Sequence, residues 1–320
     1  MYDPKRPLAA ALLAAACIDA FASCGAAFCS VNTSWDAQGA WPSDGTRLDL
    51  RYEAIRQDQP MSGGARVAFG AIPRHHDERS TLNRNWIFAI DRSLGADWSI
   101  GLSLPVVDRA HEHVHNHRGA KLPEAWSFAG AGDARMLLRR RLYAAEGEGP
   151  SVESAGITFG LKLPTGLRDE RNGEGALAER SLQPGTGTTD LLAGAQYSRA
   201  LPADGFGWFV QGLAQLPSGG RDGYRPGSRL SADAGLRFEL GDRGAAMLQL
   251  NALWRGRDAG ILSEPDDTGG RALFASPGAS FAFSREWQGY AFVQLPVAQH
   301  VNGVQLVARR ALVFGASARF

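Results

Sequence analysis

The stretch RLSADAGLRFEL, residues 229–240, decides the fold. Its apolar side chains occupy every second position, and polar, charged or glycine residues fill the positions between them. The apolar set is Leu230, Ala232, Ala234, Leu236, Phe238 and Leu240, and the other set is Ser231, Asp233, Gly235, Arg237 and Glu239. Because successive side chains of a β-strand point to opposite faces, this period of two predicts a strand with one apolar and one polar face.

The same period recurs along most of the chain. Clear examples are residues 47–53, 155–163 and 248–255. We predict about twelve antiparallel strands, at residues 46–58, 85–94, 98–110, 128–143, 154–166, 189–201, 206–217, 228–240, 244–256, 272–285, 288–300 and 304–320. An even number of strands joined one after another returns the chain to the side on which it started.

A soluble β-sandwich would alternate in the same way, so a second criterion is needed. Many predicted strands are close to the roughly 9–11 residues that cross a bilayer. Tight connections such as Gly95-Ala96-Asp97 and Gly241-Asp242-Arg243 alternate with long ones rich in Gly, Pro, Asp and His. This asymmetry is typical of outer-membrane barrels, whose long loops face outward. The sequence therefore predicts an all-β fold, a transmembrane antiparallel up-and-down β-barrel.

Composition excludes other classes of protein. A mean hydropathy of -0.22 excludes a bundle of spanning helices, since each needs about 20 apolar residues in a row. A barrel needs apolar side chains only at alternate strand positions. The 34 basic and 33 acidic residues leave a net charge of +1 without a block of like charges, so we expect no nucleic-acid partner.

The N-terminus has the features of a secretory signal peptide. Lys5 and Arg6 precede an apolar run at residues 7–17, and Ala20-Phe21-Ala22 matches a signal-peptidase site. The alternatives are a short membrane anchor and a lipoprotein attached at Cys17. We predict a signal peptide at residues 1–22, a periplasmic segment at residues 23–45, and a barrel at residues 46–320 among the lipids of the bacterial outer membrane.

Cleavage after Ala22 removes Cys17 and leaves Cys24 and Cys29. An even pair in an oxidising compartment predicts a disulfide. The alternative is a metal or redox pair, which the spacing does not favour because it is not Cys-x-x-Cys.

The polar faces of the predicted strands carry charges of both signs. We expect the lumen to be lined by Arg47, Asp49, Arg51, Glu53, Lys162, Asp233, Arg237, Glu239 and Arg255. In the run Arg139-Arg140-Arg141, one side chain must face outward. A barrel of about this size is narrow, so we expect a selective or gated passage, or a lumen closed by its own salt bridges, rather than a wide pore.

Several stretches resemble a family of Gram-negative outer-membrane barrels grouped as transporters of the phenol meta-pathway type. They are residues 160–166 (GLKLPTG), residues 183–190 (QPGTGTTD), and Gln294-Leu295-Pro296 followed by Val301-Asn302-Gly303. The resemblance covers most of the mature chain and implies a barrel with solute passage. The last predicted strand ends on Phe320, which lies on the apolar face of that strand. A terminal aromatic residue on this face resembles the signal that the barrel-assembly machinery reads. The resemblance implies that machinery as a partner in biogenesis.

Four of the seven histidines fall in one tract, residues 111–117, at the outer end of the third predicted strand. If the strand continues, all four share the lumen face. Imidazole suits Zn, Cu and Ni, and short histidine-rich tracts are typical of metal sites. The candidate ligands of a divalent transition metal are His75, His76, His111, His113, His115 and His117. The alternative is a polar, pH-responsive loop that binds nothing specifically.

The leading interpretation of function is a channel or transporter for a small solute, in which the histidine-lined mouth influences which solute passes. A binding or structural barrel without transport is the first alternative, and an outer-membrane hydrolase is the second. Asp108, Glu112 and the histidines supply acid and base groups, but no Ser-His-acid order with a recognisable local motif occurs. We therefore expect no enzyme activity, and no catalytic or cofactor-binding residues.

Overall fold

The structure is a computed structural model that describes residues 27, 29–35, 38, 45–145, 153–201 and 205–320. The strands are β1 (Thr46–Ser62), β2 (Ala65–Arg66), β3 (His76–Ser93), β4 (Trp98–His117), β5 (Ala120–Ala131), β6 (Arg135–Ala145), β7 (Glu153–Lys162), β8 (Asp190–Leu201), β9 (Phe206–Pro217), β10 (Arg229–Leu240), β11 (Gly244–Arg255), β12 (Gly270–Ala282), β13 (Trp287–Val301) and β14 (Val304–Arg319). A single turn of 3₁₀ helix, Pro265–Asp267, precedes β12. Over the described ranges, no helix is long and apolar enough to span a membrane. The predicted signal peptide and Cys24 lie outside these ranges.

The strands form one closed antiparallel barrel, as predicted. Each strand of the wall pairs with its neighbours in chain order, and β1 pairs with β14 to close the circle. The two-residue β2 pairs only with β1, and β5 pairs with the outer half of β4 while β6 pairs with its inner half. Within the described residues, twelve strands therefore complete the wall, with β5 as an extension beyond it.

The wall is inverted relative to that of a soluble protein. On β14, the Phe314 side chain is 50% exposed on the outside, whereas Ser317 is fully buried on the inside. The same parity holds around the circle, where large apolar side chains such as Phe88, Leu230 and Leu250 face outward. An apolar belt around a polar interior is the arrangement of a barrel in lipid, and this fold is that of the bacterial outer membrane.

The side chains of the run Arg139-Arg140-Arg141 do not all face the same side of the wall, as the alternation requires. Arg139 points inward and its Nη1 lies 2.6 Å from Asp91 Oδ1. Arg140 faces outward, with its guanidinium carbon 5.3 Å from the centroid of the Trp98 ring. A cation beside an aromatic ring at the membrane interface is tolerated, because such residues sit at the level of the lipid headgroups.

The two ends of the barrel differ. Thr46 and Phe320 exchange backbone hydrogen bonds at one end, which we call the periplasmic end, and the short connections β3–β4, β10–β11 and β12–β13 lie on that side. The long connections lie at the other end, which we call the outer mouth. The long loop predicted between residues 110 and 128 is wrong. Instead, β4 continues to His117, and a two-residue turn, Arg118-Gly119, joins it to β5. Both turn residues have positive φ, 48° and 88°, as a type I′ hairpin requires.

The predicted boundaries failed at the outer mouth for a physical reason. Beyond the bilayer a strand no longer needs an apolar face, so the polarity pattern changes while the backbone pairing continues. His76 still pairs with His115, and His113 with Glu124. The second predicted strand accordingly starts at His76 rather than at residue 85. The fourth, predicted over residues 128–143, is instead two strands, β5 (Ala120–Ala131) and β6 (Arg135–Ala145).

Candidate functional site: a filled lumen and its outer mouth

A stretch of chain before β1 lies inside the barrel. We call residues 29–35 the plug segment. Its Cys29, Val31 and Trp35 are buried in an apolar cluster with inward side chains of β1, β11, β13 and β14. The Trp35 ring meets Tyr290 of β13 edge-on, with 5.1 Å between ring centroids. An apolar core of this kind inside a polar lumen fixes the segment by burial of hydrophobic surface.

Hydrogen bonds tie the plug segment to opposite walls. The Cys29 amide donates to Glu53 Oε2 of β1 at 3.1 Å, and Gln294 Nε2 of β13 donates to Ser30 Oγ at 2.8 Å. Asn32 exchanges two bonds with Gln249 of β11, each 2.9 Å long. Asn32 Nδ2 also donates to Gln211 Oε1 of β9 at 2.5 Å. Since β1 and β9 lie six strands apart in the twelve-strand circle, the segment reaches across the lumen from one side of the wall to the other. The predicted disulfide to Cys24 stays a prediction, since Cys24 lies outside the described residues.

The predicted lumen charges are paired close to the wall. Arg47 Nη2 lies 2.7 Å from Asp91 Oδ2, and Arg51 Nη2 lies 3.0 Å from Glu53 Oε1. Tyr290 donates its hydroxyl to Asp49 Oδ1 at 2.9 Å. The charged side chains at this level of the lumen are therefore held in place by ion pairs and hydrogen bonds.

The remaining predicted lumen residues are paired as well. Asn251 donates to Asp233 Oδ1 at 2.8 Å, and Arg237 Nε lies 2.6 Å from Glu239 Oε1 near the periplasmic end, where Glu239 is exposed. Arg255 Nη2 lies 2.6 Å from Asp258 Oδ2 at the outer mouth.

Some acidic partners of the predicted lumen cations were missed from sequence. Asp91 lies on the polar parity of β3 and could have been found by extending that alternation. Asp133, whose Oδ2 lies 2.8 Å from the ammonium of the predicted lumen residue Lys162, and Asp258 lie between strands, where side-chain parity carries no information.

The connection between β7 and β8 folds back over the outer mouth. We call residues 163–189 the mouth loop. Its Ala178 and Leu182 pack against Trp126 and Phe128 of β5 in a buried cluster. The Trp126 indole donates to the carbonyl of Ala176 at 3.1 Å, and the Arg109 guanidinium donates to the carbonyl of Leu182. The mouth loop therefore covers the lumen face of β4 and β5.

The histidine tract of β4 divides along its length. His111 and His113 are fully buried and face the lumen, His115 is half-buried, and His117 is exposed near the hairpin turn. The four thus share one face, but they do not share one site. The ring of His115 instead lies 4.5 Å from that of His75, measured between centroids.

Two carboxylates complete the inner part of the histidine cluster. His76 is buried, and its Nε2 lies 3.5 Å from Glu78 Oε1 and 3.4 Å from Glu179 Oε1. His113 Nδ1 lies 3.6 Å from the same Glu179 oxygen. Glu179 belongs to the mouth loop, and nothing in the sequence connects it with β4, because the contact depends on how the loop folds back.

Burial and nearby negative charge act together on Glu179. Burial raises the pKa of its carboxyl well above the usual range, and the charges of Glu78, Glu264 and Glu124 raise that pKa further. This corner of the mouth therefore favours the neutral acid or a bound cation over a bare carboxylate.

No protein-family model matches this sequence, and no curated protein matches it either. Among solved structures, the chain is similar to the COG4313 outer membrane channel from Pseudomonas putida F1, with 16% identity, a TM-score of 0.65, and 91% of this chain and 100% of that chain covered. More distant similarities include the NanC porin, with 8% identity, a TM-score of 0.47, and 85% of this chain and 100% of that chain covered. Another is the similarity to the translocator domain of the autotransporter NalP from Neisseria meningitidis, with 14% identity, a TM-score of 0.46, and 89% of this chain and 91% of that chain covered.

The likeness to the Pseudomonas putida channel establishes a shared fold. The resemblance to the phenol meta-pathway family is not confirmed by these matches and stays a prediction. The chain has the fold of a bacterial outer-membrane barrel, with its lumen occupied by its own N-terminal residues.

Proposed function

We propose that the protein is a gated outer-membrane channel for a small polar solute. The observation that carries the proposal is the plug segment, which crosses the lumen and bonds to strands on different parts of the wall. The segment precedes β1, whose first residue lies at the periplasmic end, and its release toward the periplasm would leave the pairing of the wall strands intact. The mouth loop forms a second closure at the outer end.

The chemistry of the lumen supports a polar solute. Inward side chains are amides, hydroxyls and paired charges, such as Asn83, Gln249, Asn251 and Ser276, all of them buried. Outside the apolar cluster that holds the plug segment, such a surface offers hydrogen bonds along the wall. The twelve-strand wall is narrow, which limits the solute to a small one.

The test is planar-bilayer conductance of the purified barrel with and without residues 23–44. We expect rare or small openings in the intact protein and steady, larger openings in the truncated one, because the truncation removes the plug segment. Retention of compact migration on unboiled gels is the control for an intact barrel.

A non-transporting barrel is the second candidate, favoured by the same paired charges that line the wall. Absence of openings in a folded, truncated barrel would support that candidate and overturn the channel. If the barrel does open, swelling of liposomes in sugars and amino acids of increasing size gives the largest solute that passes.

A further inference from the structure

Four side chains from three separate parts of the barrel converge at the outer mouth. His76 and Glu78 come from β3, His113 from β4, and Glu179 from the mouth loop, and one ligand atom from each lies within 4.8 Å of all the others. We propose that these four residues bind one divalent transition-metal ion, with Zn²⁺ as the best fit. The proposal concerns binding and does not depend on solute passage.

The distances match a tetrahedral site. Zn²⁺ binds histidine nitrogen and carboxylate oxygen at about 2.0–2.2 Å, which places tetrahedral ligand atoms about 3.3–3.6 Å from one another. His76 Nε2 lies 3.5 Å from Glu78 Oε1 and 3.4 Å from Glu179 Oε1, and His113 Nδ1 lies 3.6 Å from Glu179 Oε1. Three edges of the tetrahedron are therefore already at the required length.

The donor set selects the class of ion. Calcium and magnesium prefer sites made of oxygen atoms only, whereas imidazole suits zinc, copper, nickel and iron. Two imidazoles with two carboxylates form a neutral complex with a divalent cation. A neutral complex is compatible with burial, whereas two bare carboxylates are not.

Apart from His76, His113 and His111, the two carboxylates have no partner among the described residues. The side chain of Glu179 is 1% exposed and that of Glu78 is 10% exposed. None of their four oxygens accepts a hydrogen bond from the described residues. Buried carboxylates are ordinarily paired or coordinate a metal. Here Glu78 lies beside His76, and Glu179 lies beside both His76 and His113.

Neighbouring groups orient the ligands. His113 Nε2 lies 3.0 Å from Glu124 Oε2, so with its proton on Nε2 the ring donates to Glu124 and presents the Nδ1 lone pair to the site. Thr81 Oγ1 lies 2.8 Å from His111 Nδ1, and His111 Nε2 lies 3.4 Å from Glu78 Oε2. Carboxylate and hydroxyl contacts of this kind fix the tautomer and the direction of metal ligands.

An ion can reach the site from outside. A surface cavity at the outer mouth reaches His76 and Glu78, and its lining includes Glu264 and Asp267. Acidic residues along an entry path raise the local concentration of cations. The six histidines expected from the sequence thus reduce to two ligands, His76 and His113, with His111 as a positioning residue.

The binding test uses the full-length barrel in detergent, treated with a chelator and dialysed. Calorimetry with Zn²⁺ and visible absorption with Co²⁺ are measured for wild type, Glu179→Gln, His113→Gln and the double variant. The matched control is His117→Gln, because His117 is the exposed histidine at the end of the same strand. We expect one Zn²⁺ per chain, tetrahedral Co²⁺ bands, at least tenfold weaker binding in each single variant, and no change in the control.

The fluorescence of Trp126 reports whether the ion binds at this position. Its ring lies 4.9 Å from that of His113, so bound Cu²⁺ should quench its fluorescence, and Trp126→Phe should lose the quenching while keeping the metal. Glu179 lies outside the wall, so Glu179→Gln tests the site in a folded barrel even if His113→Gln does not assemble. The site is overturned by no Zn²⁺ uptake in wild type, by undiminished uptake in Glu179→Gln, or by loss of uptake in His117→Gln alone.

Discussion

Lys162 and Asp190 are direct partners across β7 and β8, and the Lys162 ammonium lies 3.3 Å from Asp190 Oδ1. The same ammonium lies 2.8 Å from Asp133 Oδ2 and donates to the carbonyl of Thr188 at 2.8 Å. One buried cation therefore holds both ends of the mouth loop. It also joins two of the stretches that carry the sequence resemblance, residues 160–166 and 183–190.

Replacing Lys162 with methionine should destabilise the barrel. The change leaves Asp133 and Asp190 buried without their cation, and breaking a buried pair costs about 3–5 kcal/mol. The measurement is the free energy of unfolding in urea, followed by tryptophan fluorescence. Lys121→Met is the control, because Lys121 is exposed on β5. Equal losses for the two variants would contradict the anchoring role of Lys162.

Replacing Gly166 with alanine should loosen the mouth loop. A Cβ at Gly166 would lie 2.6 Å from Gly185 Cα and 2.8 Å from the Gly132 carbonyl carbon, so backbone would have to move. Overpacking of this kind costs about 1–3 kcal/mol. We expect faster protease cleavage within residues 163–189. Gly173→Ala is the matched control in the same loop, since a Cβ there meets nothing within 4 Å, and cleavage at its wild-type rate is expected.

Trp35→Ala should release the plug segment. Truncating a fully buried tryptophan costs about 3–5 kcal/mol, and here the loss falls on the docking of the segment rather than on the wall. The readout is maleimide labelling of Cys29 in a Cys24→Ser background, because the Cys29 side chain is buried in the same cluster. Labelling should be slow in the parent, fast in Trp35→Ala, and intermediate in Trp35→Phe, which keeps a ring against Tyr290. Equally slow labelling in all three would show that the ring does not hold the segment.

Tyr224 should make stability depend on alkaline pH. Its hydroxyl donates to Asp258 Oδ2 at 2.9 Å, and burial together with the Asp258 charge raises the pKa of the phenol. Above about pH 10 the unfolded chain loses this proton while the folded chain keeps it, so the free energy of unfolding falls as pH rises. Tyr224→Phe should remove that part of the fall, and it should cost about 1.5–3 kcal/mol at neutral pH.

Tyr143→Phe is the control for this measurement, because Tyr143 is exposed on the outer face of β6. It should reproduce the wild-type pH profile. A Tyr224→Phe profile parallel to that of wild type would show that the loop network around Asp258 does not contribute.

The wall was predictable and the interior was only partly so. Period-two alternation located the strands because a lipid-facing belt forces apolar side chains onto every second position, as at Phe314 and Phe88. That constraint ends at the membrane surface, which is why the outer ends of β3, β4 and β5 were missed. Parity also placed His111 and His113 inside the barrel.

Glu179 and Asp133 escaped prediction for a different reason. Both lie between strands: Glu179 meets its histidine partners because the mouth loop folds inward, and Asp133 meets Lys162 because the connection between β5 and β6 places it beside the outer end of β7. Loop conformation depends on particular contacts such as that between Arg109 and the Leu182 carbonyl, and no periodic signal in the sequence records those contacts.

The pairing of β1 with β14 also sets the order of events in assembly. The two strands run together from Arg47 and Arg319 to Ser62 and Val304, so the first strand to leave the ribosome waits for the last. Until then its open edge has no partner and is prone to pair with other chains. The circle is therefore completed only after translation of the whole barrel, and only the completed circle forms the lumen that residues 29–35 occupy.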